Sequence, residues 1–424
     1  MPYVHINNND PNLTDTGHLQ IGTLAIDVAT PAAGATVRVM QRGERNNIIE
    51  EMISDSSGRT PTINLPAPPV DYSMQPDSQR MPYSEYDVSV TLDGYERAYI
   101  EGVQILPYTT AFQDVSIRPV TGYENQTDVI AIKEHTLWGE FPAKIPEAEA
   151  KPLPPGTGLV VLPEPVVPEF VIVHAGKPDD KSAPNHWVPF RDYIKNVASC
   201  EIYANWPEQT IRANVLAILS FTLNRIYTEW YRSRGYDFTI TNSTAFDQAF
   251  SFGRNIFDEI STVVDDIFTT FITRPNIRQP LFAQYCDGKR VSCPNWMTQW
   301  GSKQLGDQGY AAIDILKRFY GYDVFLMQAK KVAGVPSSFS GVPLQMGSAG
   351  EDVRVIQEQL NAVSNNYPAI NKVRVDGIFG EETRKSVETF QGIFRLPADG
   401  IVGFNTWYKL SQIYVAVTRM AALT

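Results

Sequence analysis

The sequence reads as a multidomain chain: a β-sandwich-like N-terminal region, a central α+β domain and a small helical C-terminal domain. Three observations predict this. At 424 residues the chain exceeds what one core organises, given roughly 100–200 residues per domain. The apolar pattern changes from alternation, over Gly22–Pro119, to three- and four-residue steps beyond Val188. Two stretches rich in proline, glycine or serine, 121–169 and Gly334–Gly341, separate the parts.

In the N-terminal region, 1–120, short alternating runs at Thr36–Met40, Tyr86–Leu92 and Tyr99–Leu106 predict strands. Turn signals at Ser56-Ser57-Gly58 and Asp93-Gly94 separate them. Several short strands at this spacing suggest a sandwich. Pro66-Ala67-Pro68-Pro69 cannot donate to a ladder and belongs on a loop or edge. No cluster here looks catalytic. Between 121 and 169, Pro142, Pro146, Pro152, Pro154, Pro155, Pro163, Pro165 and Pro168 favour extended chain, a connector or a segment wrapping another domain. Extended chain is what a protease binds, so processing is expected here, with Lys133-Glu134-His135-Thr136-Leu137 a plausible boundary.

The central region, 170–333, has helical spacing over Val188–Tyr203, Pro207–Arg234, Phe252–Phe271 and Ala311–Tyr320. Pro207 suits a first helical turn and Gly235 follows an end, so a two-helix corner is expected at Asn205-Trp206-Pro207. In the last part, 342–424, Ser348-Ala349-Gly350-Glu351 reads as a capping box before a helix carrying Val353, Ile356, Leu360 and Val363 on one face. Asp376-Gly377-Ile378-Phe379-Gly380 and Asp399-Gly400-Ile401-Val402-Gly403 form an internal repeat, each a tight turn before a helix start.

The formal charge of −11, with no Lys/Arg run to offset it, argues against a nucleic-acid partner. The longest apolar stretches, such as Val215–Phe221, fall far short of the roughly 20 residues that cross a bilayer, so no membrane span is expected. Met1–Thr14 is polar and lacks the basic start and apolar segment of a secretory signal. The odd count of cysteines, Cys200, Cys286 and Cys293, fits a reduced compartment or free thiols better than a disulfide framework.

Leu344–Ile413 resembles the peptidoglycan-binding type 1 family of small three-helix modules. The likeness rests on Gly347, Gly350, Asp352-Val353, Gln357, Leu360-Asn361, the two Asp-Gly repeats, Phe390-Gln391 and Thr406-Trp407. Phe190–Asp323 resembles the stage II sporulation protein D family of lytic transglycosylases. Asn196-Val197-Ala198-Ser199-Cys200-Glu201 follows that family's helix ending in a glutamate, and Trp206-Pro207 its next helix start. Met297-Thr298-Gln299-Trp300-Gly301-Ser302 follows its second signature. Glu201 falls on the family's catalytic glutamate. The sequence departs from the family at Ser199, Ile202 and Leu219-Ser220-Phe221, and Cys293 replaces a family histidine. The whole arrangement resembles the clostridial spore cortex-lytic enzymes. That resemblance implies a zymogen made in the mother cell, held in the spore, and activated at germination by subtilisin-like Csp proteases to act on cortex peptidoglycan.

The chemistry follows from the residues. Cutting a glycan strand needs a proton for the leaving oxygen and stabilisation of an oxocarbenium-like centre. If the attacking group is muramic acid's own 6-hydroxyl, one carboxyl suffices, acting first as acid and then as base. Partial burial beside Tyr203, Trp206 and Trp300 would keep Glu201 protonated near neutral pH. Gln299 and Trp300 are candidate groove residues, as are Tyr203 and Trp206; Thr298, Arg212 and Thr244 are further candidates.

Other chemistries stay open. Zinc-dependent cleavage would need several His or Cys ligands. The histidines, His5, His18, His135, His174 and His186, all precede Trp187, and Cys286 and Cys293 have no partner pair. No metal or cofactor is expected. A Cys200 nucleophile lacks a clear histidine partner, and a serine hydrolase lacks a Gly-x-Ser-x-Gly elbow. A muramidase or glucosaminidase would use Asp192, Glu208 or Asp287 as second carboxylate. A non-catalytic wall-anchoring protein fits the composition too.

Overall fold

A computed structural model describes residues 13–26, 30–120, 127–151, 164–333 and 339–421, with side chains to 418. Pro152, Pro154, Pro155 and Pro163 of the connector, most of the second linker, His5 and nearly all of the N-terminal polar stretch lie outside them.

The N-terminal region holds two sheets. One is built on Asp15–Ala25, whose every second side chain is buried. It runs parallel to Thr110–Ile117, from His18 opposite Thr110 to Ala25 opposite Ile117, and antiparallel to Ile63–Ala67. Pro66 sits on the latter edge strand, where its missing N–H is tolerated. The second sheet runs in the order Ile48–Ile53, Thr36–Gln41, Ser84–Thr91, Arg97–Ile105 and Thr127–Ala131. The three predicted strands therefore form within a residue or two of expectation. The sheet also runs past residue 120, since Thr127–Ala131 pairs parallel with Arg97–Glu101.

This region is not set apart from the centre. Ile256–Phe257 pairs antiparallel with Phe112–Ala111 and so adds a central-region strand to the first sheet. Asn255 Nδ2 donates to Gln104 O at 2.9 Å, and Gln104 N to Asn255 Oδ1 at 3.0 Å. This pairing shortens the helix expected over Phe252–Phe271. Gly253 takes φ +73°, Ile256–Phe257 is extended, the helix occupies only Asp258–Ile267, and Thr270–Thr273 is a strand.

The centre is organised by the helix Glu208–Tyr227, buried from Thr210 to Arg225 except at Arg212. Its polar residues find partners: Asn214 Nδ2 donates to Ser302 Oγ at 2.8 Å, and Asn224 Nδ2 to Pro280 O at 2.7 Å. Arg225 donates to Asp247 at 2.7 Å and to Glu147 at 2.5 Å. Buried charges are tolerated when paired in this way. The helix stops short of the predicted Arg234 because Glu229 turns left-handed, at φ +48°; a 3₁₀ turn, Arg232–Arg234, follows before Gly235. Phe190–Glu201 precedes it and ends at Ile202, whose backbone is extended.

The C-terminal module has the helices Glu351–Ser364, Glu381–Ile393 and Phe404–Ala421. The expected capping box does not form. The first helix is capped by Gly350 at φ 130° with no side-chain bond, while Ser348 Oγ accepts from Gln345 N at 3.0 Å. The internal repeat is real at the level of atoms. Gln357 reaches across to the first Asp-Gly turn, its Nε2 donating to Asp376 Oδ1 at 3.1 Å and its Oε1 accepting from Gly377 N at 2.8 Å. Gln391 does the same at the second, to Asp399 Oδ1 at 2.8 Å and from Gly400 N at 2.8 Å. Both glycines are left-handed, at φ +74° and +71°, which is why the motif uses glycine.

Candidate active site

The Phe190–Glu201 helix ends with its last side chain at the wall of a cleft of about 580 Å³. Glu201 is only 3% exposed. Tyr285 Oη donates to its Oε2 at 2.5 Å and the Ala249 amide to its Oε1 at 2.7 Å. Gln299 Nε2 donates to the Glu201 carbonyl at 3.0 Å, tying the second signature to the first. Burial pushes the Glu201 carboxyl above its ordinary range, opposed by the nearby Lys144 ammonium and by the bonds from Tyr285 and Ala249. Burial, then the charge of Glu201, raises the Tyr285 hydroxyl well above its usual value, so it stays a donor. Its position follows from the parallel pairing of Tyr285-Cys286 with Met297-Thr298. Gln248 Nε2 steadies it from behind at 3.1 Å.

Lys144 comes from the proline-rich connector and lines the same cleft. Burial lowers its ammonium to about 8, against the opposing pull of Glu201 and Asp247, and its Nζ donates to the Asp247 carbonyl. The connector thus packs along the central region. Thr136 N donates to Cys200 O at 2.9 Å, the His135 ring stacks on Tyr203 at 4.5 Å, and Ile145 N donates to Ala245 O at 2.7 Å. In Lys133–Leu137, the plausible processing boundary, Lys133 and Glu134 are exposed and His135 is buried, while Lys133 N donates to Ser251 Oγ at 3.1 Å.

Among the sequence-predicted groove residues, Gln299 and Thr244 line the cleft with Glu201. The others do not line it. Tyr203, Trp206 and Trp300 are buried in one aromatic cluster, with ring centroids 5.6 Å apart for Tyr203–Trp206 and 4.9 Å for Trp206–Trp300. Trp206 Nε1 donates to Ser73 O of the N-terminal region at 2.9 Å. Thr298 caps the helix Gln299–Asp307, its Oγ1 accepting from Gly301 N at 3.2 Å. Arg212 pairs with Glu208 at 2.8 Å and Asp266 at 2.6 Å. An aromatic near a functional residue in sequence serves core or groove equally well; Tyr203 and Trp206, in the corner between the two helices, turn into the core.

Asp287 also lines the cleft, but Arg290 N and Val291 N donate to its carboxylate at 2.7 and 2.8 Å, so it closes a turn. Glu208 is occupied by Arg212, and Asp192 borders a different cavity. Cys286 and Cys293 are disulfide-bonded, a correction to the free thiols expected from the odd count, and the buried Cys200 is the free cysteine. Seven positions apart, the pair closes the loop that carries Asp287 and Arg290. Among the described residues no group of three or more His, Cys, Asp or Glu could hold a metal ion, and no helix is long and apolar enough to cross a membrane.

Sequence reasoning missed Tyr285, Ala249 and Lys144. Tyr285 lies 84 positions from Glu201 and carries no local signal. Lys144 sits in a stretch readable only as connector.

Residues 349–410 match the family model of a putative peptidoglycan binding domain. Over 109 residues, 25% of this chain and 37% of the relative, the sequence is 34% identical to the spore cortex-lytic enzyme of Bacillus cereus. Over 71 residues, 16% of this chain and 26% of the relative, it is 38% identical to the zinc D-Ala-D-Ala carboxypeptidase of Streptomyces albus G. The crystal structure of the SleB N-terminal domain is 35% identical, with 18% of this chain and 99% of that domain covered at a TM-score of 0.16. The chain spans little more than a third, 37%, of the length of the cortex-lytic enzymes it matches.

Proposed function

We propose that this chain is a spore cortex-lytic enzyme zymogen of the clostridial SleC type, cutting the glycan strands of cortex peptidoglycan as a lytic transglycosylase with Glu201 as general acid/base. The observation that carries this reading is a buried carboxyl with raised proton affinity at the wall of an open cleft, in a chain that ends in a peptidoglycan-binding module. A carboxyl in that setting keeps its proton at a pH where ordinary glutamates have lost theirs, which suits donation to a glycosidic oxygen. Tyr285 and Ala249 hold both oxygens in place, and each retains a lone pair for substrate. After the leaving group departs, the same carboxylate takes the proton of the muramic acid 6-hydroxyl as that oxygen closes on C1, giving a 1,6-anhydro end. No water attacks, so no second carboxylate is required. Two other carboxylates line this cleft: Glu140, and Asp287, which is bound by two backbone amides.

Mass spectrometry of the products released from cortex by the proteolytically processed chain tests the reading. Muropeptides ending in 1,6-anhydromuramic acid, lost in Glu201→Gln, are expected. Reducing ends would move the case to a muramidase or glucosaminidase. Wall binding without release, in wild type and variant alike, would leave an anchoring protein. A spore location, synthesis in the mother cell and activation by a Csp protease belong to the same proposal.

A further inference from the structure

The connector does more than border the cleft. A second cavity of about 250 Å³ lies beside the first, lined in part by Lys177, Asn242, Ser243 and Ala249. The two cavities share three lining residues, Phe141, Pro142 and Thr244. Two of these belong to the connector, and the third meets it: Thr244 Oγ1 donates to Pro142 O at 3.4 Å. Glu201 stands at the junction, since it lines the first cavity while Ala249, whose amide binds its Oε1, lines the second. The partition between the cavities is therefore a strap of chain laid across them.

We infer that the two cavities are halves of one groove, bridged by the strap 139–145 at Glu201, and that the half lined by Lys177, Asn242 and Ser243 binds the sugars on the far side of the bond to be cut. This rests on the proposed glycan chemistry, and it adds a binding site for the second part of the strand. An endo-acting enzyme needs chain on both sides of its acid, and the larger cavity alone supplies one side. The far half carries an amide, a hydroxyl and an ammonium, polar groups of the kind that fix the orientation of a sugar ring. The strap is anchored rather than loosely laid. Glu147 pairs with the buried Arg225 at 2.5 Å and Glu149 with Arg274 at 2.6 Å, while the Gly139 carbonyl accepts from Arg290 at 3.1 Å. A strand cannot pass Glu201 until the strap lifts.

Amide hydrogen exchange on the full chain, with and without peptide-free strands of alternating N-acetylglucosamine and N-acetylmuramic acid, tests this. Two chains are compared: the intact one, and one whose strap is loosened by Phe141→Gly with Lys144→Ala. In the loosened chain the strands are expected to slow exchange about tenfold at both 242–251 and 285–299, and in the intact chain at neither. Slowing at 285–299 alone would overturn the single groove. Equal slowing in the intact chain would overturn the role of the strap. Protection of the C-terminal module alone, in both chains, would overturn the glycan reading of the cleft and this inference with it. Glu147→Gln, which weakens one anchor and leaves Asp247 on Arg225, gives a milder second route, and Ser243→Trp, which fills the far half, should abolish its protection in either loosened background.

Discussion

The C-terminal module and the central cleft are built in opposite ways. In the module one device appears twice, a glutamine on a helix closing an Asp-Gly turn, and each copy is contained within about twenty positions of chain, Gln357 with Gly377 and Gln391 with Gly400. In the cleft nothing repeats. Glu201, Ala249, Tyr285 and Lys144 come from four separate segments, and each depends on the others for position. The lesson is that a binding module can be specified by local rules, whereas a buried carboxyl at a cleft is tuned by groups that only the tertiary fold brings near.

The sharpest way to break the comparison is at Glu201. Glu201→Gln keeps one acceptor oxygen for the Ala249 amide but turns an NH2 group toward Tyr285 and cannot give up a proton as an acid does, so cortex cleavage should fall by on the order of 10²–10⁴ while wall binding persists. Equal loss of both would mean that cleft and module are one unit.

Next in size is Tyr285→Phe. The hydroxyl's bond favours the charged carboxylate, so losing it raises the proton affinity of Glu201 further. The acid is active when protonated. Activity therefore falls as pH rises through the raised pKa of Glu201, and in Tyr285→Phe that basic limb should move to higher pH, with a rate loss of roughly tenfold from the missing charge-assisted bond. A pH–rate profile of both proteins checks the direction, and a limb that stays in place would remove Tyr285 from the site.

Within the module, Gln357→Ala and Gln391→Ala should each lower stability by about 1–3 kcal/mol, because turn amides and aspartate oxygens lose buried partners. Denaturant unfolding followed at the module's own amides gives both values. Similar losses would support two equivalent copies, and a large imbalance would show that one turn is structural and the other dispensable.

The smallest effect concerns Glu259 at the start of the helix that follows the shared strand. Burial raises its carboxyl to about 7, and its Oε2 has no hydrogen-bond partner. A carboxyl whose folded pKa lies above its unfolded value supports the fold at low pH and opposes it as pH rises through that window, from about 4.5 to 7. Glu259→Gln should raise stability on the order of 1 kcal/mol at pH 8 and make little difference at pH 4. Thermal melts at the two pH values decide it.

How far the sequence reveals these regions follows the same division. The strands around Val37, Val88 and Ile100 were legible because alternation is a local signal. The paired Asp-Gly turns were legible as a repeat, though the glutamines that close them were seen only as members of a motif. Helix lengths failed where tertiary pairing overrode periodicity, as at Ile256–Phe257. Glu201 could be singled out from its resemblance alone, but its partners could not. The aromatic residues nearest it in sequence, Tyr203 and Trp206, face the core and the N-terminal region, while the aromatic that touches its carboxylate, Tyr285, is remote in the chain. The disulfide between Cys286 and Cys293 was hidden by the odd count of cysteines, which says nothing of which two are neighbours.

The strand Ile256–Phe257 has a bearing on what a cut in the connector would do. Because the centre lends that strand to the N-terminal sheet, and Trp206 and Asn255 bond across the same boundary, hydrolysing a peptide bond in the connector leaves two fragments still clasped as a complex. Cleavage and dissociation are then separate events with separate rates. A band shift on a denaturing gel would report the first, and only a change in mass under native conditions would report the second.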